Sequence, residues 1–335
     1  MYTSIKQLHI ELTDKCNAAC PMCIRTNPFT GKAQDWLLKK ELYLEDFKDI
    51  VRPDDVKNLQ KINFCGNYGE PLAARDLIPI LRYIYEHNPK IRIEVASNAS
   101  TRSDDWWWEL LEVTYKKKFK IIFGIDGINQ EQNEMYRRNT NFEKIMNNAQ
   151  LFIDNGGHAE WQYLVFKHNE KDIETAKQMA DDYGFKNFYV VATERFWNGD
   201  HSDYVYKGET YRLERSSSRP NHKTWTGDKE IKCFAMMSQE AYIDCLGFVT
   251  PCCYLGVYLY ASQAGQPATL HNQQELMEMF GDMDLERLQG RGKGLAKVIK
   301  DPFFFDLLLM HRAKKPERCY SVCGVGIEQK EYSCA

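Results

Sequence analysis

Eleven cysteines stand among the 335 residues, and they are unevenly placed. Cys16, Cys20 and Cys23 form a CxxxCxxC pattern near the start. Cys233, Cys245, Cys252, Cys253, Cys319, Cys323 and Cys334 gather near the end, and Cys65 lies alone between the groups. An odd number cannot all pair as disulfides, and in a reducing compartment such groups more often bind metal. Two metals suit the first group. A four-iron cluster usually takes four thiolates, so three leave one iron open to a ligand, as a reacting metal site requires. A structural zinc site accepts CxxC spacing equally well.

Glycines, carboxylates and amides recur at four later places: Gly66-Asn67-Tyr68-Gly69-Glu70-Pro71, Ser97-Asn98, Asp126-Gly127 and Phe166-Lys167-His168-Asn169. Glycines permit close backbone approach, and Glu70 offers a carboxylate to an ammonium group. Each place, like the first cysteine group, lies at the end of a short apolar run. The runs at 7–13, 61–65, 91–97, 120–125, 160–166 and 187–191 read as strands. Amphipathic stretches at 44–51, 77–86, 104–113, 142–155 and 172–183 are long enough for the crossover helices that parallel strands need. Six βα units predict an α/β fold, an open, partial (βα)6 TIM-type barrel, because a closed barrel takes eight. Chemistry in such barrels sits at the C-terminal strand ends, where the first cysteines fall.

The chain divides into a barrel over 1–197, a polar linker over 198–232 and a small α+β domain over 233–335. That last region carries the second cysteine group, a hairpin around Gly247 and a helical pattern over 295–311. With 43% hydrophobic and 27% charged residues the composition is that of a globular protein. A formal charge of -3 gives no global footprint for nucleic acid. Apolar runs such as 303–310 are too short to cross a bilayer, and the N-terminus shows no secretory signal. A cytoplasmic location without a membrane partner is therefore expected.

Thr13, Cys16, Asn17, Cys20, Pro21 and Cys23 resemble the signature of the radical S-adenosylmethionine (SAM) superfamily, and the later strand-end residues extend the resemblance over most of the chain. The resemblance implies that Cys16, Cys20 and Cys23 hold a catalytic 4Fe-4S cluster. It implies that Gly69 and Glu70 receive the methionine amino group, and that Ser97 and Asn98 approach ribose or methionine, with Ala99 where glycine is usual. Asp126 would lie near the ribose, and Asn169 belongs to a segment that recurs in one branch of the family. The implied chemistry is reductive cleavage of SAM to methionine and a 5'-deoxyadenosyl radical, which takes a hydrogen atom from substrate. A low-potential electron donor such as flavodoxin or ferredoxin would be the partner.

In the second group, Cys233 is followed after thirteen residues by Gly247 and after four more by Cys252, which resembles the first half of the auxiliary-cluster modules called SPASM and twitch. Cys319 and Cys323 add a second close pair. The resemblance implies a second 4Fe-4S cluster on Cys233, Cys252, Cys319 and Cys323 in the single-cluster twitch arrangement, with a redox, substrate-binding or structural role. Cys245, Cys253 and Cys334 read as incidental or buried thiols, and Cys65 as core.

Relatives with this layout oxidise alcohols or thiols, crosslink peptides or rearrange nucleotides; peptide modification is favoured here, with a dehydrogenase or nucleotide-modifying enzyme as alternative. The chain starts almost at its first strand, so no N-terminal peptide-docking domain is expected, and it ends without the Gly-Gly tail of relatives that build the molybdenum cofactor precursor. A zinc-binding adaptor and an electron carrier are the non-enzymatic alternatives. Arg25 and the segment over 26–34 are candidates to reach substrate. Arg137 and Arg138 read either as anion contacts or as a solvated helix start. Trp106, Trp107 and Trp108 on one helix cannot all face the same way.

Overall fold

The computed structural model describes residues 4–193, 195–217, 230–265 and 284–313, together with 319, 322 and 323. Six parallel strands follow the expected order: β1 (Gln7–Ile10), β2 (Lys61–Phe64), β3 (Arg92–Ser97), β4 (Lys118–Gly124), β5 (His158–Val165) and β6 (Asn187–Ala192). Helices cover the crossovers: α1 (Leu44–Ile50), α2 (Pro53–Asn58), α3 (Leu77–His87), α4 (Asp104–Thr114), α5 (Gln130–Glu134), α6 (Phe142–Asp154) and α7 (Ile173–Tyr183). Local chemistry sets several of their ends. Pro53 opens α2, where its missing N–H costs nothing. The Asn129 and Asn141 side chains accept from Gln132 N and Lys144 N to cap α5 and α6. Gly184, at φ +84°, closes α7.

One face of the sheet packs on this helical layer, and Trp107, Phe123, Phe152 and Trp161 are fully buried there. Of the three adjacent tryptophans, Trp107 is inside and Trp108 is half exposed, as a single helix requires. Among the described residues the sheet does not close into a ring, which agrees with a partial barrel. All six strands run the same way, so their C-terminal ends share one edge.

Three features depart from the sequence expectations. The linker region contains an antiparallel hairpin, β7 (His201–Tyr206) and β8 (Glu209–Glu214), turned at Lys207 and Gly208, both at positive φ. Its polar composition hides a period-2 pattern in which Ser202, Tyr204 and Leu213 face inward. Next, α8 (Phe234–Ser238) leads into the hairpin at Gly247, formed by β9 (Glu240–Ile243) and β10 (Val249–Thr250). β9 pairs parallel with β1, Leu8 opposite Ala241, so the C-terminal segment extends the barrel sheet to eight strands. After α9 (Cys253–Gln263), the helical pattern over 295–311 is split into α10 (Leu295–Val298) and α11 (Pro302–Ala313). Pro302 has no N–H to continue a helix and instead starts one.

Candidate functional site

The chain leaves β1 through Glu11–Asp14 and turns into the loop that carries Cys16, Cys20 and Cys23. Cys20 O accepts from Cys23 N (3.1 Å) and Cys23 O from Thr26 N (2.9 Å), which winds the loop tightly. Arg25 holds it from inside. Its guanidinium, in a residue only 8% exposed, donates to the carbonyls of Tyr68 (2.7 Å), Ala18 (3.2 Å), Asp14 (3.3 Å) and Cys16 (3.4 Å). The expectation that Arg25 reaches substrate therefore gives way to a role inside the loop.

The three thiols lie within electrostatic reach of one another. Burial pushes Cys16 far up and Cys20 up to about 11, with the neighbouring acidic groups adding to both. As isolated thiols these two would stay protonated near neutrality, so a cation that displaces the protons is needed to make them ligands. Polar donors already point at the sulfurs: Ala18 N lies 3.3 Å and Asn98 Nδ2 3.8 Å from Cys16 Sγ, and the Arg137 guanidinium bonds Cys20. A loop of three thiols with donors aimed at its sulfurs fits a cluster that needs thiolates and one further ligand position.

The loop after β2 is stitched to the same strand exit. A Cβ on Gly69 would lie 1.6 Å from the Thr13 carbonyl oxygen, so only glycine fits, and Glu70 N donates to Lys15 O at 2.9 Å. The Glu70 carboxylate is buried and accepts from Ser97 Oγ (2.6 Å), Asn98 N (2.9 Å) and Leu72 N (3.1 Å). Burial raises its pKa and these bonds lower it. Glu70, Ser97 and Asn98 thus form one network, which Asn98 extends to Asn17 Oδ1 (3.1 Å) and the Cys16 sulfur. Three of the acceptor positions of Glu70 are taken by its own chain. Ala99 follows at φ +50°, the left-handed conformation that glycine adopts more readily.

Asp126 and Asn169 sit beside this network and hold the exits of β4 and β5. Asp126 accepts from Arg137 Nε and from Leu164 N, both at 2.6 Å. Asn169 Nδ2 donates to Asp126 O (2.9 Å) and Leu164 O (3.0 Å). Arg137 is largely covered and packs against Gly124, where a Cβ would meet the guanidinium at 2.7 Å. Arg137 is thus no solvated helix start. Arg138 lies within 4.4 Å of the Tyr206 and Tyr211 rings and bonds Tyr204 OH at 2.8 Å. Val205 N donates to Pro28 O at 2.7 Å, so the β7–β8 hairpin lies over the segment that follows the cysteines.

Glu11, Tyr242 and Tyr260 were not singled out by their residue types. Glu11 accepts from Gly69 N (2.9 Å), Tyr68 N and Tyr242 OH, and Asp14 accepts from Tyr260 OH. Burial pushes Glu11 up to about 7. The one available signal was the alternation His9, Glu11, Thr13 in a strand covered on both faces, where a polar residue needs a buried partner.

In the second group, Cys233 and Cys252 occupy the residues just before α8 and α9. Backbone N–H groups of Ala235 and Met236 point at Cys233, that of Leu255 at Cys252 and that of Phe234 at Cys323. Cys252 lies in the fields of Cys253, Cys319 and Cys233, and Cys233 in that of Cys323. The four sequence-predicted residues are thus neighbours, and Cys253 is a fifth. Among the described residues, no three His, Cys, Asp or Glu side chains converge as ligands of a single metal ion. Cys245 is fully buried with Tyr68 and Tyr260, and Cys65 is buried as expected. Cys334 lies outside the described residues.

Residues 10–180 match the family described as the Radical SAM superfamily. The GTP 3',8-cyclase of Aliarcobacter butzleri is 21% identical over 221 residues, 66% of this chain and 65% of that protein. The GTP 3',8-cyclase of Campylobacter lari is 34% identical over 97 residues, 29% of this chain and 28% of that one. The chain therefore aligns with less than two thirds of the length of these curated relatives. Among solved structures, Streptococcus suis SuiB bound to S-adenosylmethionine is similar in fold, with a TM-score of 0.53 at 13% identity over 75% of this chain and 60% of that one.

Proposed function

The chain belongs to the radical SAM superfamily, and from that premise we propose an enzyme that cleaves SAM reductively and takes hydrogen from a peptide, with a second cluster in its C-terminal region. Enzymes of this family use a 4Fe-4S cluster and SAM and need a reductant. When bound, the cluster and SAM supply the electron and the 5'-deoxyadenosyl radical; this chain's own residues position and enclose them.

Cys16, Cys20 and Cys23 would hold the cluster, with Arg25 fixing the loop and Asn98 and Arg137 donating to the sulfurs. The Gly66–Glu70 loop, lying directly against Thr13, would receive the amino end of the methionine moiety. Glu70 has an acceptor position left for it, while Ser97 and Asn98 keep the carboxylate in place. Asp126 and Asn169, spent on the exits of β4 and β5, would shape the ribose side through the backbone. The β7–β8 hairpin helps to exclude water and so protects a reactive carbon radical from quenching. Cys233, Cys252, Cys319 and Cys323 would hold the second cluster, a twitch-like arrangement with a flavodoxin or ferredoxin as the electron source.

The observation that carries this reading is the joining of the three-cysteine loop to the Gly69–Glu70 backbone, through Arg25 to Tyr68 O and Glu70 N to Lys15 O. Anaerobic reconstitution with iron and sulfide should give about eight irons per chain and release 5'-deoxyadenosine with dithionite. Cys16→Ala should abolish release, and Cys252→Ala should leave about four irons. Uptake of zinc alone, with no 5'-deoxyadenosine, would overturn the reading. The structural relative SuiB has been solved bound to its precursor peptide, which supports the peptide class. A nucleotide substrate is the second reading, favoured by the sequence relatives named GTP 3',8-cyclase. Consumption of GTP in the same assay would replace the peptide with a nucleotide.

A further inference from the structure

The Gly66–Glu70 loop is held by the C-terminal segment as well as by the barrel. Asn67 Nδ2 donates to Tyr242 OH (3.1 Å) and to the Cys253 carbonyl (3.3 Å). Tyr68 OH donates to the Val257 carbonyl (2.8 Å), and the Tyr68 ring stacks on Tyr260 at 4.3 Å between centroids. The Tyr242 hydroxyl donates to one oxygen of Glu11, whose other oxygen accepts the N–H groups of Tyr68 and Gly69. Two successive loop amides therefore end on a single carboxylate, and that carboxylate is oriented by a tyrosine of β9. Gly256 lets α9 press against the same tyrosine, since a Cβ there would overlap its ring. Glu11, Tyr68 and Tyr242 are each about 1% exposed, so these bonds act in a low-dielectric setting where a lost partner is costly.

We propose that Tyr242 and Asn67 are positioning residues through which the C-terminal segment sets the affinity of the Gly66–Glu70 loop for SAM. The inference rests on the reading that this loop receives the methionine amino group. Without the Tyr242 hydroxyl, Glu11 loses the donor that orients it and Asn67 loses an acceptor, so the loop samples more conformations in the free protein. Binding must then re-order it, and that cost is taken from affinity while the bound geometry, and hence the chemical step, is kept.

The test uses the full-length reconstituted protein, equilibrium binding of radiolabelled SAM and steady-state release of 5'-deoxyadenosine with dithionite. Tyr242→Phe and Asn67→Ala are expected to raise the Kd and KM for SAM about tenfold, equivalent to about 1.4 kcal/mol, with kcat and iron content unchanged. Tyr85→Phe removes a buried hydroxyl on α3 that has no hydrogen-bond partner among the described residues, and should change neither constant. If Tyr242→Phe does not fold, the half-buried Asn67 carries the test. Parent-like binding by the variants, or a fall in kcat at constant KM, overturns the proposal while the SAM reading stands. A parent protein that binds no SAM overturns both, and does so before any variant is made.

Discussion

Four backbone carbonyls, those of Asp14, Cys16, Ala18 and Tyr68, end on the guanidinium of Arg25. Arg25→Met keeps much of the side-chain volume and removes every donor. A buried acceptor left unpaired costs about 1–3 kcal/mol, and three of the four bonds are buried, so a loss of at least about 3 kcal/mol in total is expected. Thermal melting should fall by several degrees, and iron uptake at the Cys16–Cys23 loop should fail. An unchanged melt with full iron content would show that the loop holds its shape without the arginine. The cysteines and Gly69 were legible in the sequence because residue type and spacing alone restrict what they can do. Arg25 was not, because its partners are main-chain oxygens, which no side-chain pattern announces. Glu70 was half legible: its type and its place after β2 singled it out, but the pairing of β2 with β3 that brings Ser97 and Asn98 to it is non-local.

At the scale of elements, β1 and β9 bring two buried carboxyls together. Burial pushes both Glu11 and Asp244 up to about 7, and the Glu11 charge adds to the rise at Asp244. In the unfolded chain both titrate near 4. Between those values the folded protein keeps protons that the unfolded chain has released. This contribution to stability is therefore complete below about pH 4, declines as pH rises and levels off above about pH 7. Asp244→Asn keeps an oxygen for Leu246 N and Phe248 N and removes the titration. The parent should lose more stability than the variant between pH 5 and pH 8 in paired thermal melts, and parallel losses would contradict the assignment. The six barrel strands were legible from their apolar runs, and five crossover helices from their amphipathic faces. Short α2 and α5 and the β7–β8 hairpin were not, since each carries mostly polar residues and is fixed by caps, turns or a few inward side chains.

Across the whole molecule, the C-terminal segment is built into the barrel sheet through β9 and supplies Tyr242 and Tyr260 to the exits of β1 and β2. Truncation after residue 232 should therefore give an aggregating or molten product instead of a folded barrel. Circular dichroism and size-exclusion chromatography decide this, and a monomer that melts cooperatively at the parent temperature would show that the two regions fold independently. The second cysteine group marked this segment in the sequence. Its hairpin at Gly247 was legible as well, but the pairing of β9 with β1 was not, because four residues facing a partner at the other end of the chain carry no sign of that partner.

The pairing of Leu8 with Ala241 also orders events in time. At about 5–20 residues per second, a ribosome takes roughly 10 to 50 s to travel from the first strand to the one that lies beside it. Throughout that interval the nascent barrel has an open edge at β1, a template for pairing with other chains that must be shielded. The exits of β1 and β2 are meanwhile without the tyrosines that later fix them. The earliest residues of the chain are thus the last to be finished, and a chain that stalls before residue 240 keeps that edge open.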